Sequence, residues 1–448
     1  MQAFQSWGRY PPARQSTLQL RWAGDALPLP VTGGDTLLPY GQGRSYGDSC
    51  LNDGGTLLLT EGLDRFIHFD RAGGLLRCEA GVTLAEILRL IVPQGWFLPV
   101  TPGTKFVSLG GAIANDVHGK NHHRAGTFGC HVTRFELLRS NGSRLICSPQ
   151  ENAEWFAATV GGLGLTGLIT WAEIRLKPIA NPLIAAETIR FAGLDEFFEL
   201  SAASEADYEY TVAWLDCLAS GRHFGRGLFM QGNHAAPQLS GLPPISEPQG
   251  HSIPFDAPNW MLNNLSIRAF NFAYYHRQRS KSTSGLSHFA PFFYPLDAIL
   301  AWNRIYGRRG FLQYQCVVPD DGGHTVIRSI LEKIVASGQG SFLSVIKTFG
   351  DVPSPGLLSF PRKGVTLALD FPMRGAGTLA LLNELDVIVQ QAGGGLYPAK
   401  DARMSPEFFQ AYYPRWQEFS QYIDPKFSSG FWRRVTAMEC SDPNSGTL

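Results

Sequence analysis

Three glycine-rich segments and one histidine cluster hold the residue types best suited to chemistry. The first segment is Pro39-Tyr40-Gly41-Gln42-Gly43-Arg44-Ser45-Tyr46-Gly47-Asp48. Closely spaced glycines let backbone N–H groups converge on an anion, and Arg44 and Ser45 add donors. The second runs from Pro102-Gly103-Thr104 to Ser108, Gly110, Gly111 and Asn115. A helix starting at Gly110-Gly111 is expected to aim its free N–H groups and its dipole at a pyrophosphate. The third is Gly161-Gly162-Leu163-Gly164-Leu165-Thr166-Gly167. One such cluster is compatible with a plain tight turn. Three of them ahead of one domain boundary point to a phosphate-bearing cofactor.

Gly162, Gly164 and Gly167 also spell G-x-G-x-x-G, with Glu187 about 20 residues beyond. A nicotinamide site needs strand, glycine loop and helix in that order. Here a helix reads before the loop and a strand after it, so that reading is rejected. His118 and His122 have i,i+4 spacing, with His123 and His131 nearby. A zinc hydrolase helix would carry Glu at the second position, and Gly119 and Asn121 supply neither that acid nor a helix. The cluster reads as a polar wall, with no metal.

In the second half, Phe311 to Val318 reads as a strand with Gln313, Gln315 and Val317 on one face. Lys347 sits among Leu343, Val345 and Phe349. Either these are edge strands with a wet face, or Gln313, Gln315 and Lys347 line a cavity that binds hydroxyls or phosphate. Leu396 to Asp401 reads as a short strand that projects Lys400 from its end, ahead of a helix with Ser405 as cap and Pro406 at its first position.

The elements that must position these residues follow from pattern. Thr83 caps a helix over 84–91, and another covers 152–159. Residues 168–177 alternate as a half-buried strand, ended by Pro178. From 183 to 395 the expected strands are 185–191, 208–216, 227–231, 311–318, 342–349 and 365–371. The expected helices are 194–204, 325–336 and 378–391. This is an α+β lobe on a mixed sheet. Residues 235–290 read as a long irregular lid or insertion. Its Trp260, Met261, Leu262, Leu265, Phe270, Phe272, Tyr274 and Tyr275, followed by His276-Arg277-Gln278-Arg279-Ser280-Lys281, suit a membrane surface or an ordinary packed helix.

The chain has 448 residues, with 38 Lys plus Arg against 38 Asp plus Glu. Two lobes are expected at that length. A zero formal balance argues against a dedicated nucleic-acid binder. Seven scattered cysteines without C-x-x-C read as reduced thiols in a cytoplasmic protein. No signal peptide or membrane-spanning run is read.

The strings GQGRSYGD, PGTKFVSLGGAIANDVHGKNHH, GTFGCHV and TVGGLGLTGLI resemble flavoproteins of the vanillyl-alcohol oxidase and p-cresol methylhydroxylase (PCMH) type. With FFYPLDAILAWNRIYG, GFLQYQCVVP, FLSVIKTFG and LYPAKDARM the chain is most similar to the decaprenylphosphoryl-β-D-ribose 2′-oxidase family. The resemblance implies non-covalent FAD in a two-subdomain PCMH-type domain, residues 1–180. A substrate domain would span 181–395, and 396–448 would return to the first domain. Implied cofactor contacts are Gly41, Gly43, Arg44, Ser45, Tyr46, Gly47, Pro102, Gly103, Thr104, Ser108, Gly110, Gly111, Asn115, His118, Gly119, Asn121, Gly126, Thr127, Gly164, Thr166, Gly167, Tyr397 and Lys400. Implied substrate contacts are Trp214, Gln313, Gln315, Lys347 and Ala368. Lys400 is the first catalytic candidate, with His118 or Tyr294 open as general base.

The implied reaction oxidises the 2′-hydroxyl of a polyprenylphosphoryl-β-D-ribose to the 2′-keto sugar. It is the first half of an epimerisation toward the arabinose donor of cell-wall arabinan. An NADH-dependent keto-sugar reductase would be the partner, and contact with the inner membrane would be peripheral. The alternatives are a soluble aldonolactone or alditol oxidase and a non-catalytic flavin protein that presents a lipid-linked sugar. Ala368 stands where mycobacterial members carry Cys, so a thiol there is not expected to serve the chemistry, and nitroaromatic inhibitors that need it are not expected to trap this protein.

Overall fold

In a computed structural model, residues 4–28, 36–237 and 250–437 are described. Three sheets organise them. A small parallel sheet has order β1 (Ser16–Gln19), β3 (Thr56–Leu59), β2 (Leu37–Tyr40). A five-stranded antiparallel sheet has order β4 (Phe66–Asp70), β5 (Leu75–Glu79), β8 (Leu168–Arg175), β6 (Val132–Leu138), β7 (Arg144–Cys147). Against these lie α1 (Leu84–Ile91), α2 (Leu109–Ala114) and α3 (Ala153–Thr159). The capping box expected at Thr83 is formed reciprocally with Glu86, an arrangement whose cap alone is worth about 1 kcal/mol.

The half-buried alternation expected for β8 is wrong in detail. The strand is central, so all but its Trp171 and Arg175 are buried. Glu173 is covered because Arg77 and Arg134 clasp it. Burial alone would raise its carboxyl, but those guanidinium groups and the Thr133 hydroxyl hold it at about 2.

The third sheet has eight strands: β12 (Ser282–His288), β9 (Leu183–Phe191), β11 (Gly227–His234), β10 (Tyr210–Leu215), β14 (Ser344–Phe349), β15 (Gly364–Pro372), β13 (Phe311–Val318), β16 (Gly395–Leu396). Every neighbouring pair is antiparallel, where the strand–helix–strand rhythm suggests a mixed sheet. The rhythm has a physical source. β9 and β10 run the same way with β11 between them, joined by α4 (Leu194–Ser204). β13 and β14 do likewise around β15, joined by α6 (Gly323–Ser337). The crossover helices are there, but an antiparallel strand separates each pair they connect.

Alternation divides this sheet into two faces. Leu312, Tyr314, Cys316, Ile346, Leu367 and Leu369 pack with Ile327, Ile330 and Ile334 of α6 and with Leu381, Leu385 and Val389 of α7 (Ala376–Gln391). The opposite face is left for the site.

The stretch 235–290 is not irregular throughout. It holds α5 (Asn264–His276), capped by Asn263 and Ser266, and the whole of the edge strand β12. Residues 238–249 lie outside the described part. Beyond β16, α8 (Pro406–Tyr412) starts at the expected Ser405 cap, and α9 (Gly430–Val435) follows. The stretch returns to the first sheet: Leu37 N–H donates to Lys426 O, Ser428 N–H to Leu37 O and Gly430 N–H to Leu51 O. Among the described residues no helix is long and apolar enough to cross a membrane.

Candidate active site

A cavity of about 400 Å³ lies between the glycine segments and the free face of the eight-stranded sheet. Its floor is set by strand register. Gln315 pairs with Ala368, Ala368 with Val345, and Val345 with Trp214. These four therefore form a row, with Gln313 and Lys347 beside it, and all six line the cavity. The edge-strand alternative for β13 is thereby excluded.

The opposite wall contains Gly41, Gly43, Arg44, Ser45 and Tyr46, then Pro102, Gly103, Thr104, Ser108, Gly110, Gly111, Asn115, His118 and Gly119, then Gly164 and Gly167, then Tyr397 and Lys400. The loop after β2 has the properties of an anion cradle. The backbone N–H groups of Gln42, Gly43, Arg44 and Ser45 donate to no acceptor among the described residues. A Cβ at Gly41 would lie 2.3 Å from Ser108 Oγ, and one at Gly43 would lie 2.1 Å from the Tyr40 hydroxyl. Glycine is therefore required for the loop to settle this closely.

The expectation for α2 fails. Its helix begins at Leu109, and its first N–H groups are consumed inside the protein. Leu109 donates to Val82 O, Gly110 to Ala80 O and Gly111 to Ser108 Oγ. That helix packs the wall and offers no free donors to a pyrophosphate. Five implied cofactor residues are also absent from the cavity lining. Gly47 lies under the C-terminal segment, where a Cβ would sit 1.7 Å from Asp401 O. Asn121 spends its amide on Pro99 O. Gly126 takes φ +67° at the end of a short turn, and Thr127 hydrogen-bonds Ser354. The buried Thr166 hydroxyl pairs with Thr159. These residues shape the wall from behind.

Tyr294 is corrected likewise. Its side chain is buried behind Thr101, 2.6 Å from that hydroxyl, and does not line the cavity. His118 does line it. The Gln315 amide donates to His118 Nε2 at 2.9 Å, so the neutral ring carries its proton on Nδ1. Burial, reinforced by Lys347, pushes this histidine well below its ordinary value. Its basic nitrogen is thus already occupied. His122 lies at the start of a separate short helix, with its ring 4.5 Å from Phe349, so the i,i+4 pair never shares a helix.

Lys400 sits in a turn after β16, not on a strand: its N–H donates to Tyr397 O. Its ammonium lies 3.7 Å from the centre of the Tyr46 ring. Tyr46 in turn donates its N–H to Ala399 O. Burial lowers the Lys400 pKa and the charge of Asp370 opposes that. Burial raises Asp370, which accepts from Gln313 Nε2 at 2.5 Å. The neighbouring Asp401 is buried and pairs with Arg434. Lys347 and Lys120, both in the lining, are each lowered by burial to about 7. Sequence reasoning passed over Asp370 and Lys120. Asp370 follows Thr366 and Ala368 in the alternation of β15, and that was the available signal.

An FAD binding domain family matches residues 31–148. Over 451 aligned residues, 96% of each chain, this one is 37% identical to the decaprenylphosphoryl-β-D-ribose oxidase of Mycolicibacterium smegmatis. The chain belongs to the decaprenylphosphoryl-β-D-ribose oxidase family. FAD is the cofactor, and the loop of unpaired amides fits its pyrophosphate. Within this oxidase family the α+β architecture sets the sheet floor opposite the glycine-rich wall across the cavity. More limited similarity reaches the Delta(24)-sterol reductase of Homo sapiens, 32% identical over 25% of this chain and 22% of that one. It also reaches the D-arabinono-1,4-lactone oxidase of Eremothecium gossypii, 25% identical over 37% and 32%.

Proposed function

We propose that the chain oxidises the 2′-hydroxyl of a polyprenylphosphoryl-β-D-ribose to the 2′-keto sugar. The observation that carries this reading is the six-residue floor. Gln313, Gln315 and Lys347 present hydroxyl- and phosphate-binding groups, while Trp214, Val345 and Ala368 present apolar ones, all in the same cavity as Lys400. Bound FAD supplies the acceptor for the hydride. Gln42 to Ser45 hold the pyrophosphate on backbone amides, and Arg44 is fixed between Trp7 and Phe106. Lys400 stands at the wall as the cation or, deprotonated, as the base for the sugar hydroxyl, and His118 fixes the Gln315 amide in the floor.

In this reading residues 1–180 form the FAD domain, 181–395 the substrate domain, and 396–448 the returning segment. The product is a keto sugar, so a reductase acting with NADH is the consuming partner, and the enzyme meets its lipid-linked substrate at the inner face of the membrane. Anaerobic titration tests the function. Polyprenylphosphoryl ribose is expected to bleach the bound flavin at near-stoichiometric amounts, and simple alditols or aldonolactones are not. Bleaching by alditols alone would favour the soluble-oxidase reading. A flavin that stays yellow with every substrate would favour a presenting module.

The flavin is expected to be held without a covalent bond. The loop from Gly43 to Gly47 holds no His or Cys. Burial pushes the lining Cys50 thiol up to about 12, which removes its nucleophilic form. Acid precipitation should leave all yellow colour in the supernatant, and a yellow pellet would contradict this.

A further inference from the structure

Helix α5 has two unlike faces. Ile267, Asn271 and Tyr275 are buried, and Asn271 donates to Asp216 and to Ser341 O. The helix is thereby fixed to the sheet without any partner. Its other face carries Leu265, Ala269, Phe272 and His276 at helical spacing, all exposed. Leu265 is 79% exposed and Phe272 57%, and just before the helix Trp260 is 76% and Phe255 70% exposed. Single exposed apolar side chains need no explanation, but a contiguous group does.

Within the stretch of chain that carries α5 the charge has one sign. From Ala257 to Leu296 there is no Asp or Glu, while Arg268, Arg277, Arg279 and Lys281 lie within the same stretch. Arg277 rests on the Tyr274 ring, and Lys281 pairs with Glu196 of α4. A different side of the same helix reaches the cavity. The half-exposed Phe270 stacks on Tyr274, and Tyr274 packs against Trp214 at 4.6 Å. Tyr274 and Trp214 both line the cavity, as do the exposed Ile299 and Leu300.

We propose that this face seats on an anionic lipid bilayer, and that Phe270, Tyr274 and Trp214 form the route by which a prenyl-linked substrate passes from bilayer to cavity. The docking stands on exposure and charge. The route rests on the substrate reading above. An apolar face flanked by bases binds such a surface through both buried area and attraction to the lipid charge. A second copy of the chain would not require the acid-free stretch.

The test uses the FAD-loaded full chain and sedimentation with vesicles of phosphatidylcholine alone or mixed with phosphatidylglycerol. The wild type should bind the mixed vesicles, less so as salt rises. Trp260→Ser/Leu265→Ser/Phe272→Ser, all at exposed positions, should bind at least ~10-fold more weakly with its flavin absorbance unchanged. Arg277→Glu/Arg279→Glu should lose the salt-sensitive part. Equal binding by the triple variant, or no preference of the wild type for the anionic vesicles, overturns the proposal. So does a concentration-dependent dimer of the wild type that the triple variant lacks. Flavin reduction by a short-chain, water-soluble prenylphosphoryl ribose separates the two readings. If it persists while vesicle binding fails, the docking proposal falls alone. If it fails in the wild type, the substrate reading falls and takes the route with it.

Discussion

Lys400→Ala is expected to keep FAD but to reduce it at least ~100-fold more slowly, the scale of losing one preorganised charge at a reacting centre. The geometry leaves few alternatives. Tyr294 is walled off by Thr101, and His118 Nε2 is already hydrogen-bonded to Gln315. Lys400 faces the cavity, fixed by Tyr46 beneath its ammonium and by the Tyr397–Asp401 turn. Two roles are open to it. A cationic Lys400 stabilises the negative charge that accompanies the hydride. A neutral Lys400, favoured by burial, removes the hydroxyl proton. The pH profile separates them. If the cation is needed, the reduction rate falls as pH rises through the lysine's lowered pKa. If the neutral amine is needed, the rate rises there. Lys400→Arg gives a second readout, since arginine retains the charge and cannot lose its proton. Stopped-flow reduction within a few fold of the wild type in Lys400→Ala would remove this residue from the chemistry.

Arg434→Met is expected to lower stability by about 3 to 5 kcal/mol, the cost of leaving buried carboxylates without their cation. Arg434 on α9 binds Asp48 through two nitrogens, at 2.9 and 2.7 Å, and Asp401 at 2.9 Å. Both acids are almost fully buried. Burial raises the Asp48 pKa even with Arg434 present, and that guanidinium is the main influence opposing the rise. The sign of the pH effect follows. An acid whose folded pKa lies above its unfolded value costs stability once pH exceeds it, and the cost disappears when the acid is protonated. The deficit of Arg434→Met should therefore be largest at neutral and alkaline pH and shrink on acidification. Urea midpoints at several pH values would show this. A midpoint equal to the wild type's at neutral pH would contradict it. Because Asp401 adjoins Lys400, the variant should also lose flavin more readily on dilution.

Much of the site was readable where a property is local. Alternation alone placed Gln313 and Gln315 on one face, because β13 spans all of Phe311–Val318 and nothing interrupts it. Thr83 and Ser405 announced their helices because a cap acts within three residues. What failed depends on partners distant in the chain. The α2 amides looked free because their acceptors, Ala80 O and Val82 O, come from a loop about 30 residues earlier. Asp370 looked like an ordinary strand residue until the β13–β15 register set it opposite Gln313. Tyr294 looked available because nothing in the sequence says that Thr101 stands in front of it. Helix α5 was legible only as one of two readings of its stretch, since Asn and aromatic residues dilute the pattern that the Asn263–Ser266 capping box opens.

The return of the chain after β16 also bears on how the enzyme is made. Loop 41–47 is synthesised well before the segment that braces it, since Tyr46 leans on Ala399 and Gly47 lies under Asp401. The first sheet likewise waits for residues 426–430. Vectorial synthesis therefore leaves this loop and the first sheet without their braces until residues 396–430 have emerged. Flavin capture is then expected to wait for that segment, and a chain truncated before residue 396 is expected to hold the cofactor weakly and to be cut readily by proteases.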